Sequence, residues 1–224
     1  MQAGNRNYRS ADELPDCVPI FPLSGALLLP GGRMPLNIFE PRYLEMVEAA
    51  MSGERLIGMI QPALDGSRRA DDEPMLTPVG CLGRIVSFTE SGDGRYLITL
   101  HGVCRFRLGS EVEKPSRPYR RAAFTAFAAD LQDDDRSAVD RQALIGAFRS
   151  FVDANDMEVD WPSVEQASTQ TLVNVLSMMS PYGPAEKQAL LEAPDLKTRA
   201  QTLIAITELL LAKVPEGQGG NSLQ

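Results

Sequence analysis

Apolar residues change their spacing near residue 130, and a chain in which this happens must build two kinds of layer. From Val18 to about Ala128, short apolar runs are punctuated by proline and glycine, with alternation of period two in places. That is the pattern of β-structure. Cys104-Arg105-Phe106-Arg107-Leu108 alternates apolar with charged residues, so one face of this strand is expected to be buried and the arginines to face water or a partner. Beyond the acidic run Asp133-Asp134-Asp135 the period lengthens to about 3.6, the helical value. Val139, Leu144, Ala147, Phe148, Phe151 and Val152 then share one face of a helix over 136–154. Ser163-Val164-Glu165-Gln166 reads as a capping box opening a helix that runs to about Met179. Pro184 starts a short helix ending near Ala193. Asp195 caps a last helix whose Leu196, Ala200, Leu203, Ile204, Leu210 and Leu211 form a stripe, read as the core of a bundle rather than a groove for a partner.

One helix interrupts the β-region. Pro41 suits a first helical position, Tyr43, Leu44, Val47 and Met51 recur at helical spacing, and Gly53 stands where a C′ residue belongs. Ser91-Gly92-Asp93-Gly94 supplies a turn between the runs 79–90 and 95–108, which predicts that they pair antiparallel. Gly102 marks a bend or bulge in the second run. Residues 1–16 and 214–224 are polar and glycine-bearing and read as mobile tails. The expected organisation is an α+β chain with a β-rich domain over 17–129 and a helical bundle over 130–213.

Charge narrows the function. The chain holds 22 Lys/Arg and 30 Asp/Glu, a net charge of −8. Residues 1–129 carry 15 of each sign and residues 130–224 carry 7 and 15, so the whole excess lies in the second part. An acidic chain repels nucleic acid at long range unless a local basic patch overrides the field. One candidate patch exists, because Arg105 and Arg107 are followed by Lys114, Arg117, Arg120 and Arg121 around Tyr119. Arginines beside an aromatic can grip phosphates and stack bases, although a solvated strand face has the same composition. The stretch Ile20–Pro30 falls short of the roughly 20 residues needed to span a bilayer. The polar N-terminus lacks the apolar core of a secretory signal, so a cytoplasmic location is expected. Cys17, Cys81 and Cys104 offer neither a disulfide framework nor zinc-ligand spacing.

Motifs that carry chemistry are missing. His101 is the single histidine, and no cysteine or carboxylate stands near it at metal-ligand spacing. None of the four lysines, Lys114, Lys187, Lys197 and Lys213, follows the glycine of a phosphate-cradling loop. Ser24 lies in no nucleophile elbow. Glu40 and Arg42 read as structural groups at the start of the first helix, one satisfying free backbone donors and the other pairing across the β-layer. No cofactor, metal or catalytic residue is expected.

The stretch 18–47, VPIFPLSGALLLPGGRMPLNIFEPRYLEMV, supplies a more specific signal. Pro19-Ile20-Phe21-Pro22-Leu23 leads to Pro30-Gly31, and Pro35-Leu36 is followed by Ile38-Phe39-Glu40-Pro41-Arg42-Tyr43. This run resembles the opening of the Lon substrate-binding (Lon N-terminal) domain. Val79-Gly80-Cys81-Leu82-Gly83-Arg84-Ile85 and Gly102-Val103-Cys104-Arg105-Phe106 match its later strands. The resemblance implies a PUA-like β pseudo-barrel followed by a C-terminal α-helical bundle. It also implies a structural role for Pro22, Pro35, Glu40, Pro41, Arg42, Tyr43, Gly80, Gly102, Arg105 and Phe106. Full Lon proteases continue into an ATPase and a Ser-Lys protease, and neither a Walker lysine nor such a dyad stands in this chain. A stand-alone, non-enzymatic module is therefore expected, one that binds unfolded or exposed apolar polypeptide segments and holds them or delivers them to a protease, with unfolded or tagged polypeptide and a protease or chaperone as the expected partners. Met34, Leu36 and Phe39, beside the turn at Pro30-Gly31-Gly32, are its candidate contacts, open to assignment either as exposed groups or as core. The alternative is an RNA-binding PUA-like module using Arg105, Arg107, Arg120 and Arg121.

Overall fold

Residues 1–112, 117–132 and 139–213 are described in the computed structural model. The tail expected at 214–224, the run Asp133-Asp134-Asp135 and Lys114 lie outside the described residues. In chain order the strands are β1 (Gln2–Ala3), β2 (Arg6–Asn7), β3 (Cys17–Pro22), β4 (Arg33–Ile38), β5 (Leu56–Ile60), β6 (Val79–Glu90), β7 (Tyr96–Glu111) and β8 (Arg121–Ala126). The helices are α1 (Pro41–Met51), α2 (Arg141–Ala154), α3 (Trp161–Gln166), α4 (Thr169–Met179), α5 (Pro184–Glu192) and α6 (Leu196–Lys213). None of the described helices is long and apolar enough to cross a membrane. Two compact units result, one of Met1–Asp135 with Asn174–Glu192, the other of Arg136–Val173 with Ala193–Gln224.

The first unit is built on a closed ring of strands. β3 pairs parallel with β5, and the pairs β5–β6, β6–β7, β7–β8 and β8–β3 are antiparallel, so each of the five has a neighbour on both sides. β5 is buried along its whole length, which explains why Leu-Ile-Gly-Met-Ile reads as a continuous apolar run rather than an alternating one. The interior holds Ile20, Leu56, Leu82, Val103, Cys104, Phe106 and Ala122. Gly58 and Gly80 make room for the fully buried Phe106 ring, which a Cβ at either position would strike. The expected hairpin forms as Ser91–Gly94 implied, with Gly92 and Gly94 at φ 80° and 84°.

β4 stands outside the ring, paired with the first half of β7 through Arg33↔His101 to Ile38↔Tyr96. The second half of β7 pairs with β8. Between the halves the β6–β7 register shifts after Leu82↔Cys104 to Gly83↔Gly102, so the bend expected at Gly102 is a bulge around Val103. Leu29-Pro30-Gly31-Gly32 is a β-turn in which the Gly32 amide donates to the Leu29 carbonyl at 2.9 Å and Gly31 sits at φ 78°. Proline then glycine in the two central positions is the type II preference. The turn is fastened to the bulge by two further bonds of 2.9 Å, Gly31 N–H to the Gly102 carbonyl and Gly102 N–H to the Gly32 carbonyl. A Cβ on Gly102 would overlap the Leu29 carbonyl oxygen.

α1 starts at Pro41 and buries Tyr43, Met46, Val47 and Ala50. That stripe is rotated slightly from the expected one, leaving Leu44 and Met51 half-buried. The left-handed residue that closes the helix is not Gly53 but Arg55, at φ 60°, whose amide donates to the Ala50 carbonyl at 2.9 Å. Residues 1–16, expected as a mobile tail, are instead tied down. Ala3 and Tyr8 are fully buried, the Tyr8 hydroxyl accepts from Arg84 Nη1 at 3.2 Å, and the Met1 amino group donates to the Leu131 carbonyl at 3.1 Å. A tyrosine buries a large apolar area once its hydroxyl has a partner, which polar composition around it conceals.

Residues 174–192 group with the strands because polar contacts hold them there. The Gln188 side-chain amide donates to the Val79 carbonyl (3.1 Å), Gln61 Nε2 donates to Gln188 Oε1 (3.0 Å), and Asn174 Nδ2 donates to the Pro30 carbonyl (2.9 Å). In the second unit α2 packs against α6, and Asp195 caps α6 as expected, accepting from the Thr198 amide at 2.7 Å. The helix expected from Ser163 is two helices. Its cap is Asp160, which accepts from the Ser163 amide, and the chain turns extended at Ala167 (ψ 142°) before Ser168 accepts from the Thr171 amide at 3.1 Å and opens α4.

Replacing Gly102 with alanine forces backbone against backbone, so Gly102→Ala is expected to cost about 1–3 kcal/mol or more in urea denaturation. Gly92→Ala, in an open turn, costs less.

Candidate functional site

Strand alternation separates the three apolar candidates. Met34 and Leu36 lie opposite Leu100 and Ile98, which are buried, and are themselves half-buried on that face. Phe39 follows the end of the strand and is 61% exposed, with the Arg95 guanidinium carbon 5.8 Å from its ring centre. On β7, Leu97 stands opposite Asn37, two residues before Phe39, and is 47% exposed. Leu97 was not singled out from the sequence, because Tyr96-Leu97-Ile98-Thr99-Leu100 reads as mostly apolar and only the pairing register shows which leucine points outward. Among the described residues β4 is bonded on one side only, so this apolar pair borders a free strand edge. Pro35 in the middle of β4 lacks an amide donor, which confines such a strand to an edge and blunts that edge for a further strand.

Behind this edge the family-motif residues build the support. Glu40 precedes α1 but makes no side-chain cap; its carboxylate instead accepts from Arg42 Nε at 3.1 Å. Arg42 reaches on to Glu73 at 3.1 Å and lies 4.6 Å over the Tyr43 ring, which stacks in turn 4.4 Å from Phe21. Burial first, and the nearby carboxylates with it, push the Tyr43 hydroxyl above its ordinary pKa despite Arg42. Pro22 ends β3 opposite Ile60, and Gly80 and Phe106 are partners in the β6–β7 ladder.

The arginines proposed as a nucleic-acid face are not a common free surface. Arg105, expected to face water, is 3% exposed. Its Nε and Nη2 each donate to the Asp130 carboxylate at 2.8 Å, and its backbone amide donates to the same carboxylate at 2.8 Å. The turn Ala128–Leu131 that follows β8 folds back over β7 and brings Asp130 there, a contact that alternation along one strand cannot foresee. Arg107 on the same face is exposed and shares the Phe127 ring with Arg105. Arg120 donates to Glu111, which also accepts from Arg69 Nη1 at 2.8 Å. Burial would raise the Glu111 pKa, but these two guanidinium groups outweigh it and hold the carboxyl below the usual range.

Among the described residues no arrangement for acid–base chemistry forms around His101. Burial and then the charge of Arg33, its partner in the ladder, lower its pKa, so it is neutral at pH 7. Burial pushes the Cys104 thiol up to about 12, far from a reactive thiolate. Among the described residues no group of three His, Cys, Asp or Glu could hold a metal ion.

Comparison with known proteins places this geometry. Residues 17–208 match the family model described as the ATP-dependent protease La (LON) substrate-binding domain. The chain is 28% identical over 194 residues to a Lon protease of Desulfosudis oleivorans, covering 85% of this chain and 23% of the relative. Against Lon protease 2 of Sorangium cellulosum it is 30% identical over 208 residues, covering 85% and 24%. It thus spans about a quarter of the length of these curated relatives. Among solved structures, a Lon N-terminal domain protein from Xanthomonas campestris superposes with a TM-score of 0.60 at 22% identity, covering 89% of this chain and 99% of that one. The N-terminal domain of a Mycobacterium avium complex Lon protease gives 0.63 at 16% identity, covering 86% and 98%.

Asp130→Ala strands a buried guanidinium and is expected to cost about 3–5 kcal/mol in urea denaturation, whereas Arg107→Ala, at an exposed position farther along the same face, stays within about 0.5 kcal/mol. Glu111 adds stability at pH values above about 4.3, the unfolded value, and loses it as pH falls through the lower folded value. Glu111→Gln is therefore expected to destabilise at pH 7 and to flatten the acid side of the stability curve, read from urea midpoints across pH.

Proposed function

The chain belongs to the Lon substrate-binding domain family, and on that premise we propose that it binds polypeptide segments with exposed apolar side chains through the face carrying Phe39 and Leu97. The observation that supports this reading is two large apolar side chains, Phe39 at 61% and Leu97 at 47% exposed, near a strand edge with no second partner among the described residues. Leaving such groups exposed forgoes about 25 cal/mol for each Å² of apolar surface that burial would remove from water, and a bound apolar segment recovers it. Pro35 makes side-chain contact, rather than strand addition along the whole of β4, the main mode of capture. Residues 1–129 carry equal numbers of positive and negative charges, so this part of the chain has no net charge by which to select clients. No ATPase or protease step belongs to this reading, and the matched family model is that of the substrate-binding domain.

Fluorescence anisotropy with a labelled, permanently unfolded polypeptide tests it. Phe39→Ser combined with Leu97→Ser is expected to weaken binding by about tenfold or more, as loss of an apolar anchor does, while thermal unfolding stays nearly unchanged. Met34→Ser and Leu36→Ser, on the half-buried face, are expected to lower the melting temperature instead. Unaltered binding by the Phe39/Leu97 variant would move the contact surface elsewhere. Binding to single-stranded RNA that weakens steeply with salt would replace the polypeptide reading altogether.

A further inference from the structure

We propose that a second site, independent of the polypeptide reading, lies in the first unit: the cavity between β3, the end of α1 and the start of β8 binds a phosphate-class oxyanion. The cavity has a volume of about 170 Å³, and its wall includes Arg55, Arg117, Arg121, Tyr119, Cys17 and Glu54. Elsewhere in this unit Arg42 pairs with Glu40 and Glu73, Arg69 and Arg120 with Glu111, and Arg105 with Asp130, while the half-buried Arg84 donates to the Tyr8 hydroxyl and the Glu54 carbonyl. The three arginines at the cavity have no carboxylate partner among the described residues. Arg117 Nη1 donates to the Tyr119 hydroxyl at 2.6 Å and Arg121 Nη2 to the Cys17 sulfur at 2.9 Å. Arg121 Nε is shielded from solvent and has no hydrogen-bond partner among the described residues. A shielded donor on a charged group is costly to leave unmade, and an oxyanion in the cavity supplies what it lacks.

Charge selects the class of ligand. Three guanidinium groups and the Glu54 carboxylate leave a local charge of about +2, which matches the −1.5 to −2 carried by a phosphoryl group at neutral pH; a single carboxylate would neutralise half of it. Guanidinium forks suit phosphate oxygens bidentately. Arg55 joins the other two through the left-handed turn that ends α1, at φ 60°, a conformation disfavoured for a non-glycine residue. Both free phosphate and a phosphoryl group on a bound peptide present this chemistry.

Isothermal titration calorimetry of the full chain at low salt separates the two sources, with inorganic phosphate in one arm and a phosphoserine peptide, against its unphosphorylated form, in the other. Saturable binding of one ion per chain to phosphate identifies the free anion; binding to the phosphopeptide alone identifies a carried phosphoryl group. In either case Arg55→Gln and Arg117→Gln, both on exposed positions that leave the thermal transition in place, are expected to weaken binding by about tenfold each. Cys17 provides a separate readout, since Cys81 and Cys104 are buried and Cys17 is not: the ligand should slow its alkylation by iodoacetamide in a saturable way. Absence of binding in both arms, or binding that survives both substitutions with no protection of Cys17, would overturn the proposal.

Discussion

Two backbone hydrogen bonds across the Gly102 bulge hold the architecture in register. They join the turn at Leu29–Gly32 to the point where β7 changes partners, and they require the two backbones to approach so closely that no side chain fits between them. Before the bulge β7 carries β4; after it β7 closes the ring with β8. A shift of one residue in this contact would turn Leu97 inward and Ile98 outward, because side chains alternate along a strand. The candidate binding face, the barrel closure and the placement of Arg105 against Asp130 therefore follow from one close approach.

The treatment of charge divides the first unit into support and surface. Arg42, Arg69, Arg105 and Arg120 are each matched to a carboxylate, and the match between Arg105 and Asp130 is nearly dry. A buried pair of this kind is weak evidence of net stability and strong evidence of position, since either partner alone would be intolerable in that environment. Arg55, Arg117 and Arg121, which have no carboxylate partner among the described residues, line an open cavity instead. The distinction lies in pairing rather than in the number of arginines, and it separates a phosphate-class site from the broad basic face that nucleic acid would need.

Much of this fold was legible in local sequence signals. The hairpin at Ser91–Gly94, the start of α1 at Pro41 and the cap at Asp195 depend on a few adjacent residues, and each forms as the residues imply. What could not be read depends on contacts distant in sequence. Alternation places Arg105 on the side that normally faces water, and only the fold-back of residues 128–131 changes that side into an interior. Tyr8 sits in a polar stretch whose composition predicts mobility, yet its burial is decided by Arg84. Residues 174–192 have helical periodicity like their neighbours and group with the strands through Gln188 and Asn174. At the site, Phe39 was visible as part of a motif, while Leu97 became visible only with the register that pairs it to Asn37.

The unequal bonding of the strands has a consequence for motion. Every strand of the ring has a neighbour on both sides, so its amide protons are expected to exchange more slowly than those of β4. β4 is held on one side, and local opening free energies fall where ladder bonds and buried contacts are few. Opening of β4 therefore lies within reach of thermal fluctuation on timescales that leave the ring intact. The flank of the apolar face beside Phe39 can then adjust its shape to segments of differing sequence without a change in the barrel that carries it.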